Sequence, residues 1–167
     1  MAEDRCAMAE TVIAIIVADD VDDLSTALST TGDLDRWRAV LRYELPIDRL
    51  IDVGGLLHYD VFAPKLLCVG CAQTLTPWHV AGLRGADDAL SLFVDRLLLP
   101  VDCRLPTSGA TALHLACFAG YTDTVRTLID QLKADVNRRD EYESTNTVAT
   151  INFQVLHISR PRHILTV

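Results

Sequence analysis

The 167-residue chain lacks a surplus of basic residues: 15 Lys and Arg stand against 23 Asp and Glu, for a formal charge of -8. A phosphate backbone is bound by clustered Lys and Arg that release counterions, so this balance argues against a nucleic-acid partner. Long apolar runs are missing too. None approaches the roughly 18 to 20 residues that a membrane-spanning helix requires, and no membrane association is expected. The apolar stretch from Thr11 to Ala18 follows Glu3, Asp4 and Glu10 rather than a basic region, and Asp19 and Asp20 end it, which is not the pattern of a signal peptide.

A paired cysteine framework is also absent. Cys6, Cys68, Cys71, Cys103 and Cys117 are odd in number, in a chain large enough to need no disulfide staples. They read as reduced thiols, which places the protein in the cytosol or nucleus. No nucleophile elbow or phosphate loop surrounds any Ser, Cys or Gly cluster, and His58, His157 and His163 are isolated. The expectation is a non-enzyme without a cofactor.

What is present is a period. Thr76-Pro77-Trp78-His79-Val80-Ala81-Gly82-Leu83-Arg84-Gly85 lies 35 residues before Thr111-Ala112-Leu113-His114-Leu115-Ala116-Cys117-Phe118-Ala119-Gly120, and both read Thr-x-x-His-x-Ala-x-x-x-Gly. The match runs on without a gap: Leu90, Phe93, Val94 and Leu97 are answered by Val125, Leu128, Ile129 and Leu132, one face of a second helix. Val101-Asp102 then answers Val136-Asn137. Each unit is predicted to be a turn and two short helices.

Local chemistry explains the fixed residues. Thr76 and Thr111 suit a helix N-cap, and Pro77 suits the first helical position, where its missing N–H costs nothing. Gly85 and Gly120 can take the left-handed conformation that closes a helix. Ala81 and Ala116 are small enough to let paired helices approach.

These motifs resemble the ankyrin repeat family, with its Thr-Pro-Leu-His, Ala, Gly and later Ala-Asp-Val-Asn. Gly109 to Ala116 and Lys133-Ala134-Asp135-Val136-Asn137 carry the resemblance most fully. The first copy departs from it with Thr74 in place of Gly and Leu99-Pro100-Val101-Asp102 in place of Ala-Asp-Val-Asn. The resemblance implies an all-α helix-turn-helix repeat solenoid and a non-catalytic module that binds a partner protein through its turn tips and inner helix face. By position, it implies contact residues Ala72, Gln73, Leu75, Leu83 and Arg84 in the first copy. In the second they are Thr107, Ser108, Ala110, Phe118 and Ala119. The competing expectation for Leu83 and Phe118 is packing on the adjacent unit.

The organisation read from the chain is a degenerate N-terminal repeat or cap (9–32), a divergent helical unit (33–70), two ankyrin repeats (71–105 and 106–140) and an irregular tail (141–167). Leu34 to Tyr43 and Pro46 to Leu57 are the expected helices of the divergent unit, and Leu66 to Val69 is an expected extended connection. In the cap, Asp22 and Asp23 would complement the dipole of its second helix. The run Asp19 to Asp23 lacks the Gly and terminal Glu of a calcium loop. For the tail three readings stay open: it folds over the last repeat, it is disordered, or the chain is cut from a longer protein.

Two rival functions are weighed. One is the ankyrin portion or a truncated isoform of a larger multidomain protein or enzyme. The other is a thiol or zinc protein built on Cys68-Val69-Gly70-Cys71, with His79 as a further ligand. A second half-site is missing from the sequence, and Thr-x-x-His accounts for His79 structurally. No metal is expected.

Overall fold

The computed structural model describes residues 2–52 and 74–140. The element order is α1 (Ala2–Ala18), α2 (Val21–Thr31), α3 (Leu34–Leu41), β1 (Leu45–Pro46), α4 (Ile47–Asp52), β2 (Thr74–Leu75), α5 (Pro77–Arg84), α6 (Asp87–Leu97), α7 (Ala112–Ala119) and α8 (Thr122–Arg126), which widens into a π-helical turn over Thr127–Gln131. Strand pairing among the described residues is a two-residue antiparallel ladder, Leu45 opposite Leu75 and Pro46 opposite Thr74. The fold is the all-α stack that the period predicts.

The two repeat units start and stop for the reasons their sequences give. Thr76 and Thr111 sit in extended backbone, and each side chain accepts the N–H of the histidine three residues on. Pro77 takes the first helical position of α5. Both helices end on a left-handed glycine, Gly85 at φ 75° and Gly120 at φ 83°, a conformation that costs a residue without Cβ little.

The second helix of each unit buries the expected stripe in part. Leu90, Phe93 and Leu97 of α6 are buried and Val94 packs against the core; Val125 and Leu128 are buried, with Ile129 and Leu132 packed at the margin. Past α6 the first copy keeps the left-handed turn of the second without glycine: Leu98 has φ 50° and Lys133, one period later, has φ 62°. Side chains rarely adopt that region, and at the exposed Leu98 the turn is closed by its N–H donating to the Val94 carbonyl at 2.9 Å.

Stacking of the units rests on α5 against α7. The approach is close enough that a Cβ on Gly82 would stand 2.7 Å from the Ala112 carbonyl oxygen. Gly82→Ala is therefore expected to destabilise the domain by about 1–3 kcal/mol, because overpacking against backbone outweighs the better helix propensity of alanine. Equilibrium denaturation checks this, and a stabilised variant would show that the helices separate freely.

On the N-terminal side, α1 packs against α5, α2 and α3. Its buried residues Ala9, Val12, Ile13 and Ile16 form one helical face, and Leu24 and Leu28 of α2 complete that layer. The helix begins at Ala2, earlier than its apolar stripe. Its polar first turns are anchored from outside, by Asp4 to Arg36 at 2.6 Å and Glu10 to Arg49 at 3.1 Å. Asp20 caps α2 by accepting the Asp23 N–H at 3.1 Å, and Asp22 and Asp23 lie in its first turn. The expected helices at 34–43 and 46–57 meet α3 and α4 as far as Asp52. The remainder of the second, the connection at 66–69 and the tail lie outside the described residues.

Candidate functional site: turn tips and inner helix face

The Thr-x-x-His pair is the polar core of each unit. In the first, the Thr76 hydroxyl meets His79 Nδ1 at 2.7 Å, and His79 Nε2 meets the Cys103 carbonyl at 3.2 Å. The arrangement requires an Nε2–H that donates to the carbonyl and an Nδ1 that accepts from the hydroxyl. Both ring nitrogens are spent within the fold, which leaves His79 no lone pair for a metal. Burial pushes its pKa down to about 4 from 6.5, a shift only partly opposed by the Cys103 and Ala110 carbonyls.

The second unit repeats half of this. Thr111 and His114 form a capping box, with His114 Nδ1 at 2.8 Å from the Thr111 hydroxyl and 3.2 Å from the Thr111 N–H. The Arg138 carbonyl lies 24 positions on, as Cys103 does from His79. It acts on His114 electrostatically, but Nε2 is buried without a hydrogen bond of good geometry. Burial again lowers the pKa, opposed first by the Asp140 carboxylate.

The turn tips are tied to one another. Between Leu105 and Ala110 the chain closes on itself through the Gly109 N–H to Leu105 carbonyl bond at 2.7 Å and the Leu105 N–H to Ala110 carbonyl bond at 2.8 Å. The Asp102 carboxylate accepts the Asp135 N–H at 3.1 Å, and Arg104 donates to the Gly109 and Arg139 carbonyls, both at 3.0 Å. Arg104 and Arg139 stand one period apart, so the guanidinium of one tip holds the same position in the next.

This geometry corrects part of the expected contact surface. Leu75, Leu83, Ser108 and Ala110 are buried, at 0, 1, 0 and 3% exposure, and present almost nothing to a partner. Leu75 is sealed in the ladder against Leu45, and Leu83 belongs to the hydrophobic core. Ser108 is folded into the tip, its hydroxyl accepting the Ala110 N–H at 3.4 Å. Thr107 is exposed, and Arg84, Phe118 and Ala119 are half-buried. Ala72 and Gln73, like Cys68 and Cys71, lie outside the described residues. Sequence reasoning passed over Arg42, Arg104 and Pro106, all exposed; the 35-residue spacing of Arg104 and Arg139 was the available signal.

Two half-buried thiols are poor nucleophiles. Burial pushes Cys117 up to about 12 and raises Cys103, the latter against the opposing charge of Arg42. Among the described residues there is no cluster of three His, Cys, Asp or Glu placed to hold a metal ion, and no helix long and apolar enough to cross a membrane.

Repeated capped helix pairs on a 35-residue period, stacked through small residues and cross-linked at their tips, define an ankyrin-type solenoid. A family model described as ankyrin repeats, in three copies, matches residues 56–140, and the chain belongs to that family. An 85-residue stretch, 51% of the chain, is 32% identical to the human transient receptor potential cation channel subfamily A member 1. That stretch spans 7% of the channel's length.

Proposed function

We propose that the chain is a non-catalytic protein-binding module whose contact surface is the exposed tip at Thr107 together with Arg84, Phe118 and Ala119 on the inner helices. Ankyrin repeats generally serve as protein-interaction modules, and the observation that carries the reading here is the internal use of the polar chemistry. His79, Thr76 and Thr111 are committed to capping, and Asp102 to the tips. What remains accessible is a row of side chains on a rigid frame, which binds with little ordering cost. Reduced thiols and acidic charge fit a cytosolic or nuclear protein partner rather than nucleic acid.

The test is capture of partners by the wild-type chain and by a Phe118→Ser, Thr107→Arg variant, followed by affinity measurement with the partner recovered. Binding is expected to weaken by more than about 1 kcal/mol, with a small change in melting temperature because neither substitution empties a sealed core site. A variant that melts like wild type and binds with unchanged affinity would move the contact surface elsewhere. The second reading, an ankyrin portion serving within a larger multidomain protein, draws on the human channel, in which the similar stretch is a small part of the chain.

A further inference from the structure

A cavity of about 290 Å³ opens between the C-terminal end of α3, the start of α5 and the tip that follows α6. Its lining combines Leu41, Trp78 and Pro106 with Arg42, Cys103 and Arg104. No carboxylate lines it among the described residues. Of the acidic residues adjacent in sequence, Glu44 accepts from the Thr74 hydroxyl at 2.6 Å, and Asp102 accepts from the Asp135 N–H; the Asp102 charge still reaches Cys103, but more weakly than that of Arg42. His79, on the same wall, is neutral and spent. Among the described residues Arg104 donates to two uncharged carbonyls, and Arg42 meets the Cys103 thiol, so neither positive charge is neutralised by these contacts. The buried indole N–H of Trp78 has no hydrogen-bond partner among the described residues.

We propose that this cavity receives an acidic side chain of a protein partner, its carboxylate seated between Arg42 and Arg104 and its neighbouring residues against Pro106 and the Thr107 tip. The inference deepens the protein-binding reading and rests on it. Charge complementarity selects the ligand. In a chain of net charge -8, two arginines lining one cavity with no acidic residue among its described lining form a local positive depression that a carboxylate can fill. Exposed Pro106 and the Thr107 tip beside it favour a peptide over a free anion, because a peptide also covers that surface, while Leu41 and Trp78, at 0 and 1% exposure, form a sealed floor.

The full chain, labelled with nitrogen-15, is titrated with the peptide acetyl-Glu-Leu-Glu-Leu-Glu-amide and, in parallel, with its all-glutamine counterpart and with free glutarate. The Trp78 indole and Thr107 amide resonances are followed. Saturable shifts are expected with the acidic peptide alone, fading as salt is added. Arg42→Gln is the informative variant, since the Arg42 side chain is exposed; it should weaken binding by about fivefold, and Arg42→Lys should retain most of it. Equal shifts with the glutamine peptide, equal binding of glutarate, indifference to Arg42→Gln or absence of saturation would each overturn the proposal. A captured partner that is lost with the Phe118 variant but insensitive to Arg42→Gln would overturn this inference and leave the protein-binding reading standing.

Discussion

Leu113→Ala is expected to lower the unfolding free energy by about 2–4 kcal/mol, the range for emptying a buried leucine site that relaxes only in part. Leu113 is 3% exposed in the first turn of α7 and belongs to the hydrophobic core. One period earlier the same position holds Trp78, 1% exposed, with its ring 6.5 Å from that of Phe93 between the two helices of the first unit. A larger side chain at the equivalent place indicates that the site lies where helices meet. Domains of this size are commonly stable by only about 5–15 kcal/mol, so the loss is a large share of the whole. Denaturant titration measures it, and an unchanged midpoint with an unchanged slope would remove Leu113 from the core.

The expected loss at Leu113 was legible in the sequence because the signals there are local. A threonine cap, a glycine stop and a stripe of apolar residues depend on nothing outside their own turn, and all appear where the pattern put them. The contact surface was less legible for a physical reason. Position within a repeat says which way a side chain leaves its own helix, and the neighbouring unit decides whether it meets solvent. Leu83 leaves α5 on the expected face and is covered; Phe118, one period on, is half-exposed. Ser108 is polar and lies in a turn, yet the Leu105 to Ala110 closure buries it completely. The Arg42 and Arg104 cavity needed the third dimension, since α3 and the tip after α6 are joined by packing and not by sequence.

The same distinction governs α1. Its buried stripe is a periodic signal, while its early start at Ala2 depends on Asp4 and Glu10 finding Arg36 and Arg49 on later helices. Exposed pairs of this kind contribute up to about 1 kcal/mol each, too little to announce themselves in a sequence and enough to steady a polar first turn.

The histidines make acid a selective stress on this fold. His79 is held neutral by burial, with a pKa of about 4 against 6.5 for an exposed imidazole. The unfolded chain therefore takes up a proton on His79 well before the folded one does. Stability is fully present above the unfolded value, falls as pH drops from 6.5 towards 4, and is fully lost from this source below the folded value. Across that window of about 2.5 units the loss amounts to roughly 3 kcal/mol, at about 1.36 kcal/mol per unit. His114 is shifted in the same direction and adds to the effect. The structural reason is visible at the cap: a proton on His79 Nδ1 would set a second donor against the Thr76 hydroxyl, whose oxygen already receives the His79 N–H. Denaturation of the wild-type chain and of a His79→Gln variant across this window separates the effect from carboxylate titration. The variant should begin less stable and lose less on acidification. Parallel pH profiles for the two, or a His79 ring that protonates near its free value by nitrogen NMR, would mean that the buried Thr-x-x-His cap does not hold the ring in its neutral form.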